Sequence, residues 1–301
     1  MNYGKRVLTG AASILIMSLL AAVAGYLIRL VLARGLSQED YGLFYAVFSM
    51  FSFLVLFKDF GLNHSMPKFL PEYLHKNDYS GVKSVIISVF SIQFVVSLLI
   101  ATVTVIFSDQ IAEHFFQMHS ASIVIKILAL MFVFMPLENV LTYSFQGFQK
   151  MIYFSGVEFL RMLIIVILTV IFLGKGMGVL APSWAYSLAY VIVPLICIPF
   201  FIKTFPQFLS ARLDVTKKLV KKLMKFGLPL IAGTFGFLLM SYTDTLILTY
   251  FRSMGEVGLY QVASPTARLT LYLGYALAGV FLPLSSELWF KKEKDKLRKG
   301  M

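Results

Sequence analysis

The feature that most limits the fold of this chain is a set of long apolar runs without formal charge. Four of them cover Val85–Phe107, Val179–Ile202, Phe226–Thr243 and Leu269–Ser286. A helix needs about 20 apolar residues to cross roughly 30 Å of hydrocarbon. The runs lack the two-residue alternation of strands in a membrane barrel. The pattern therefore predicts an all-α polytopic membrane protein.

Composition supports a membrane location for the whole chain. Hydrophobic residues make up 58% of the sequence and the mean hydropathy is +0.81. Charged residues make up only 14%, against about 25% in soluble domains, so a soluble fold would lack a polar surface. We predict about eight transmembrane helices. The predicted spans are 10–33, 41–62, 83–107, 121–145, 155–173, 179–202, 226–250 and 257–284.

The first apolar run has an alternative interpretation as a signal peptide. Lys5 and Arg6 precede the run, and Ala22-Val23-Ala24 resembles a signal-peptidase site. The run continues as far as Ala33, which is long enough to span a bilayer. We therefore favour an uncleaved first helix.

Positive charges are unevenly distributed between the two sides that eight spans create. With the amino terminus inside, the inner segments and the tail carry 19 Lys and Arg residues. The outer loops carry three, Arg34, Lys175 and Arg252. The positive-inside rule then predicts a multi-pass protein of the cytoplasmic membrane with both termini cytoplasmic. This topology, together with attraction to anionic inner-leaflet lipid, explains the net charge of +12, and we expect no nucleic-acid partner.

Two stretches 216 residues apart, Leu30–Ser49 and Leu246–Pro265, share a sequence pattern. The shared register pairs Ser37 with Ser253, Asp40 with Glu256, and Gly42 with Gly258. Six predicted spans make up the first copy, so both copies have the same orientation, as in a parallel repeat about an axis along the membrane normal. We predict a six-helix lobe at 1–203, a basic amphipathic cytoplasmic linker at 204–225, the first two helices of a second lobe at 226–286, and a basic cytoplasmic tail at 287–301.

Two segments carry a resemblance to a known family. They read GLSQEDYGLFYAVFSMFSFLVLFKDFGLNHSMPKF and FGLPLIAGTFGFLLMSYTDTLILTYFRSMGEVGLYQVASP. The chain resembles the polysaccharide-transporter branch of the multidrug/oligosaccharidyl-lipid/polysaccharide exporter superfamily, which includes O-antigen flippases. The resemblance implies a MATE-like fold. Members typically have twelve or fourteen helices, so it also implies a C-terminally shortened chain with an incomplete second lobe.

Ionisable residues inside the spans are the candidate functional residues, because each is costly in hydrocarbon. Arg268 lies near the middle of span eight, and Arg29 lies four residues from the outer end of span one. Both are candidate cavity cations for substrate binding. Asp244 and Glu138 are candidate counter-ions or coupling groups. A structural pair between Arg268 and Asp244 is the alternative.

The remaining charges in the spans have structural interpretations. Glu158 and Arg161 are three residues apart, so we expect a structural ion pair on one helical face. Lys58 lies near the inner end of span two, where we expect it to snorkel to the interface. The candidate hinges for alternating access are three residues at the start of span seven, Gly227, Pro229 and Gly233.

The resemblance implies transport of polyprenyl-(pyro)phosphate-linked oligosaccharide across the cytoplasmic membrane by alternating access. Guanidinium groups suit this substrate because they present paired donors to phosphate oxygens. The expected partners are the lipid-linked substrate, anionic inner-leaflet lipid, and glycan polymerases or glycosyltransferases. We expect no cofactor and no enzymatic activity. We also expect no metal site, because the four histidines lack the spacing of zinc ligands.

Three other functions remain open from the sequence. A multidrug or cation antiporter of the same fold would favour an acidic cavity, whereas the predicted spans carry five cations and four acids. A shortened chain could also be a non-transporting remnant. A membrane glycosyltransferase would have to use the outer-loop carboxylates Glu39 and Asp40 as acid–base or metal groups.

Overall fold

The computed structural model describes residues 3–267, and the regular structure in this range is helical. By its contacts the chain divides into two units, Met1–Gly258 and Leu259–Met301. The helices are α1 (Tyr3–Gly35), α2 (Gln38–Asp59), α3 (Leu62–His75), α4 (Tyr79–Ile106), α5 (Ser108–His114), α6 (Ala121–Gly147), α7 (Met151–Gly174), α8 (Leu180–Thr204), α9 (Gln207–Ser210) and α10 (Lys217–Phe251). A further helix, α11, begins at residue 254 and is described as far as residue 267.

Six of the described helices are long and apolar enough to cross a membrane. They are α1, α2, α4, α6, α7 and α8, and each coincides with one of the first six predicted spans. The predicted all-α polytopic fold is therefore confirmed. The seventh predicted span lies within α10, and most of the eighth lies outside the described residues. Residues 217–225, which we predicted as part of a separate linker, form the first turns of α10.

The helix α6 is the centre of the first six spans. It packs against α2, α3, α4, α5, α7 and α8. The helix α1, in contrast, packs mainly on α7. Its buried positions Ala21, Ala24, Ile28 and Leu32 follow helical spacing, and the rest of its surface is largely exposed. This exposed apolar surface is the expected contact with lipid chains.

The second predicted span ends earlier than expected, because the chain breaks between α2 and α3. Phe60 and Gly61 both adopt the left-handed region, with φ of 47° and 67°. A Cβ on Gly61 would lie 2.2 Å from the carbonyl oxygen of Gly227 in α10. Glycine is thus needed at 61 both for the backbone conformation and for this close approach. No predicted span covers α3, because Pro67 and Pro71 interrupt its apolar residues.

The helices α2 and α11 begin with the same type of cap. Ser37 Oγ accepts a hydrogen bond from the amide of Asp40 at 3.1 Å. Ser253 Oγ accepts one from the amide of Glu256 at 3.4 Å, and the Glu256 carboxylate accepts one from the amide of Ser253. Each serine satisfies a free amide of the first helical turn. The caps occupy equivalent positions in the 216-residue repeat.

Two glycines at equivalent repeat positions bring α2 and the start of α11 into backbone contact. A Cβ on Gly42 would lie 1.9 Å from the carbonyl oxygen of Met254, and one on Gly258 would lie 2.2 Å from that of Gln38. Gln38 and Met254 are themselves 216 residues apart. Each contact is therefore the repeat image of the other, which is the reciprocity expected across a twofold axis. This geometry agrees with a parallel repeat.

We expect Gly42→Ala to destabilise the protein by about 1–3 kcal/mol, because the backbones must separate to admit a methyl group. Gly25→Ala is the matched control, since a Cβ there has no neighbour within 4 Å. That change should be neutral or stabilising by up to about 1 kcal/mol. Thermal unfolding in detergent measures both variants. Equal melting temperatures for the two would contradict the close approach.

The charge distribution and the helix order together predict which turns face the cytoplasm. In a Cys197→Ser background, a cysteine replacing exposed His75 should lie inside and one replacing exposed His119 should lie outside. A membrane-impermeant maleimide should label His119→Cys in intact cells. It should label His75→Cys only after the membrane is permeabilised. The opposite labelling would reverse the predicted orientation.

Candidate functional site

The first part of the site is a charged cluster that joins α6 and α7. Arg161 Nη1 donates a hydrogen bond to Oε1 of Glu138, and Arg161 Nη2 lies 3.7 Å from Oε1 of Glu158. The side chain of Glu138 is 3% exposed, that of Arg161 is 17% exposed, and that of Glu158 is 56% exposed. Arg161 thus lies between a buried carboxylate and an exposed one. The sequence predicted a pair of Glu158 with Arg161, whereas the nearer partner is Glu138.

Burying the Glu138–Arg161 pair is costly, because removing two charges from water costs several kcal/mol per ion. Each charge therefore needs partners inside the protein. The guanidinium of Arg161 also lies 5.2 Å from the centre of the Tyr190 ring, within cation–π range. Oε2 of Glu138, however, has no hydrogen-bond partner among the described residues. Oε1 of this carboxylate accepts a hydrogen bond from Arg161, whereas Oε2 can still accept one. Such a group can accept a proton or a new donor.

Lys58 lies beside this cluster, and the prediction that it snorkels to the interface is wrong. Its side chain is completely buried, and its amine has no hydrogen-bond partner among the described residues. The amine lies 6.0 Å from the centre of the Phe132 ring, and its charge interacts with Asp59 and Glu138. The physical reason is the break after α2. Because the chain turns there into α3, which packs on α4 and α6, Lys58 is enclosed by protein although it is close to the end of α2.

A hydrogen-bond network surrounds the break between α2 and α3. Oδ1 of Asp59 accepts from the amide of Asn63 at 3.3 Å and from Nε2 of Gln93 at 2.9 Å. The same Gln93 nitrogen lies 2.9 Å from Oδ1 of Asn63. Gln93 is completely buried in the middle of α4. Sequence reasoning missed Asn63 and Gln93 because it examined formal charges, and these side chains carry none.

Arg29 occupies a second polar region, on a group of tyrosines. Its guanidinium lies 4.6 Å from the centre of the Tyr45 ring, and its charge also interacts with Tyr41 and Tyr186. Tyr186 interacts in turn with Arg161, so it lies within the electrostatic reach of both arginines. Tyr186 thus connects the Arg29 region to the cluster around Arg161. Arg268 lies outside the described residues, and its role stays a prediction.

Asp244 and the candidate hinges lie on α10. Oδ1 of Asp244 accepts a hydrogen bond from the amide of Thr245 at 2.7 Å. The helix runs without interruption through Gly227, Pro229 and Gly233. A Cβ on Gly227 would lie 2.6 Å from the carbonyl oxygen of Phe60, whereas one on Gly233 would meet nothing within 4 Å. Of the two glycines, only Gly233 has free space around it, and the hinge role of all three residues stays a prediction.

An ion-pair cluster joins α3 to the first turns of α10. Glu72 on α3 lies 3.0 Å from the amine of Lys76 and 3.3 Å from that of Lys222. Hydrogen bonds from Lys76 and then Lys222 hold the pKa of Glu72 below its usual range. The lowered pKa means that the Glu72 carboxylate stabilises the folded protein. This contribution to the free energy of unfolding is complete above the unfolded-state pKa and is lost as pH falls through the lowered pKa. Because all three side chains are partly exposed, the contribution to stability is small.

We expect Arg161→Met to destabilise the protein by about 3–5 kcal/mol, because it leaves the Glu138 carboxylate buried without a counter-charge. Adding Glu138→Leu to that variant should restore much of the loss, since both charges are then absent. Glu158→Gln is the control and should cost less than about 1 kcal/mol, because Glu158 is more than half exposed. Melting temperatures in detergent compare these three variants, and Glu138→Leu alone, with the parent. Additive losses in the double variant would show that Glu138 and Arg161 are energetically independent.

Comparison with known proteins places this architecture in a family. Residues 7–289 match the family described as polysaccharide biosynthesis protein. The chain is 32% identical to an uncharacterized membrane protein of Methanocaldococcus jannaschii, over 100% of this chain and 62% of that protein. It is 23% identical to stage V sporulation protein B of Bacillus subtilis, over 92% of this chain and 55% of that protein.

A solved structure shows the same fold. It is an inward-facing multidrug resistance MATE family transporter of the MOP superfamily, with a TM-score of 0.65 and 14% sequence identity. The match covers 91% of this chain and 64% of that chain. The present chain thus spans between about half and two thirds of the length of these relatives. Its fold is MATE-like, as predicted, and the chain belongs to the polysaccharide biosynthesis protein family.

Proposed function

We propose that this protein is a membrane transporter that moves polyprenyl-(pyro)phosphate-linked oligosaccharide from the inner to the outer leaflet by alternating access. The observation that carries the proposal is the combination of a polysaccharide biosynthesis family with the fold of a transporter. The family description supports a role with a glycan, and the transporter fold supports a route across the membrane. The family and the fold point to a transporter rather than to an enzyme.

The chemistry of the substrate explains the proposed role of the arginines. A phosphate-linked head group carries negative charge that hydrocarbon cannot solvate. Guanidinium groups lower that cost through charge-assisted hydrogen bonds with phosphate oxygens. Arg29, which lies on α1 beside the tyrosine group, is one such donor. Arg268, on the second copy of the repeat, is the proposed second donor.

Glu138 is the proposed coupling group, with Asp244 as a second candidate. Glu138 Oε2 and the amine of Lys58 are both buried, and the described residues supply neither with a hydrogen-bond partner. Their charges interact. A cluster with unused donors and acceptors can exchange partners or a proton when the helices move. This property supports a role in coupling, because conformational change must alter the free energy of the bound ion or proton.

The alternatives gain less support. The multidrug transporter shares the fold, but 14% identity carries no information on substrate. In the described interior, the acids Asp59 and Glu138 accompany the cations Lys58 and Arg161, so the region is not distinctly acidic. The glycosyltransferase hypothesis rests on Glu39 and Asp40, which lie in the first turn of α2, where acids stabilise a helix start. Glycan polymerases or glycosyltransferases remain proposed partners.

Complementation of a flippase-deficient cell tests the proposal. The chain should restore surface glycan, and Arg29→Ala and Arg268→Ala should each lower the export rate about tenfold or more, because each removes a charged hydrogen-bond donor. Arg34→Ala is the control, since Arg34 is exposed at the outer end of α1. Restored glycan that is insensitive to both arginine changes would refute these site residues. A correctly inserted chain that restores nothing would favour the non-transporting alternative.

A further inference from the structure

A groove of about 830 Å³ lies between α1, α3 and the turn from α6 to α7. Thr9, Gly10 and Ser13 line it from α1, and Pro67 and Pro71 line it from α3. By the predicted orientation, these are the inner-leaflet ends of the helices. The groove is separate from the buried cluster around Glu138 and from the Arg29 region. Its volume falls in the upper part of the range of small-molecule sites.

The α6–α7 turn gives the groove its polar wall. Gln146, Gln149 and Lys150 line it. The backbone of the turn is already satisfied, since the amide of Gln149 donates to Gln146 at 2.9 Å and that of Lys150 to Phe145 at 2.8 Å. Among the described residues, the Lys150 amine has no carboxylate within 4.0 Å. One cation and two amide side chains are therefore available to a ligand.

A second, apolar cleft lies next to the groove. Ile152 lines both spaces. The cleft has a volume of about 160 Å³ and lies between α7 and α8, with Gly156, Leu160, Ile196 and Phe200 among its walls. A groove with one polar wall and an apolar cleft are therefore neighbours at Ile152. This is the arrangement that an amphipathic ligand with a charged head and a hydrocarbon tail would fill.

We propose that this composite site receives the lipid-linked substrate before transport, with its phosphate and first sugar in the groove and part of its tail in the cleft. The assignment rests on the proposed function. Lys150 supplies the charge that a phosphate requires, and the glutamines supply donors and acceptors for sugar hydroxyls. The groove volume of about 830 Å³ is larger than a phosphate group needs, which leaves room for the first sugar.

Native mass spectrometry of the purified chain in detergent tests the site. The two probes are polyprenyl diphosphate-linked N-acetylglucosamine and phosphatidylglycerol, which differ in mass. The parent protein should bind the glycolipid more tightly than the phospholipid. Lys150→Gln should weaken glycolipid binding about tenfold or more, because a charged hydrogen bond is lost. Lys175→Gln at the opposite end of α7 is the matched control and should bind as the parent does.

A second variant tests whether the hydrocarbon tail of the lipid binds in the cleft. A Cβ on Gly156, which lines the cleft, would meet nothing within 4 Å, so we expect Gly156→Leu to fold normally while its side chain enters the cleft. It should also weaken glycolipid binding. Equal binding of the glycolipid by the parent and Lys150→Gln would overturn the site, and so would equal affinity of the parent for the two lipids. Surface glycan in the complementation assay reports separately on transport, so a failure of the site and a failure of the proposed function are distinguishable.

Discussion

Close backbone approach at glycines is the interaction on which the arrangement of α10 and α11 depends. Gly61 meets Gly227 where α2 breaks into α3, and Gly42 meets Met254 near the start of α11. A single methyl group at any of these contacts would force the helices apart. The lipid around a membrane protein supplies little hydrophobic drive for helices to associate, so small residues that permit tight van der Waals packing become decisive. The reciprocity at Gly42 and Gly258 also relates the two copies of the repeat.

The break between α2 and α3 links this packing to the candidate site. The left-handed residues Phe60 and Gly61 end α2 at Asp59, and the polar groups around the break then bond to one another across α3 and α4. Lys58, just before the break, is buried beside Glu138 and Arg161. The same local irregularity that admits α10 therefore gathers the buried polar side chains.

The candidate site was only partly predictable. The cost of charge in hydrocarbon identified Arg29, Glu138 and Arg161 as residues that need partners, and that reasoning uses sequence position alone. It could not identify Glu138 as the nearer partner of Arg161, because the two residues lie on different helices. The same limit hid Gln93 and Asn63, whose importance comes from burial and hydrogen bonding rather than from charge.

The sequence by itself determined that the chain is a bundle of membrane-spanning helices, where the first six spans lie, and that two stretches repeat in register. Those properties follow from the length and hydropathy of local segments, because each helix must match the bilayer by itself. Only the tertiary structure decided which charges meet, that Lys58 is enclosed instead of reaching the interface, and that a groove with one polar wall lies next to an apolar cleft at Ile152. These outcomes depend on how helices distant in sequence cross and break, and no local pattern encodes those distances.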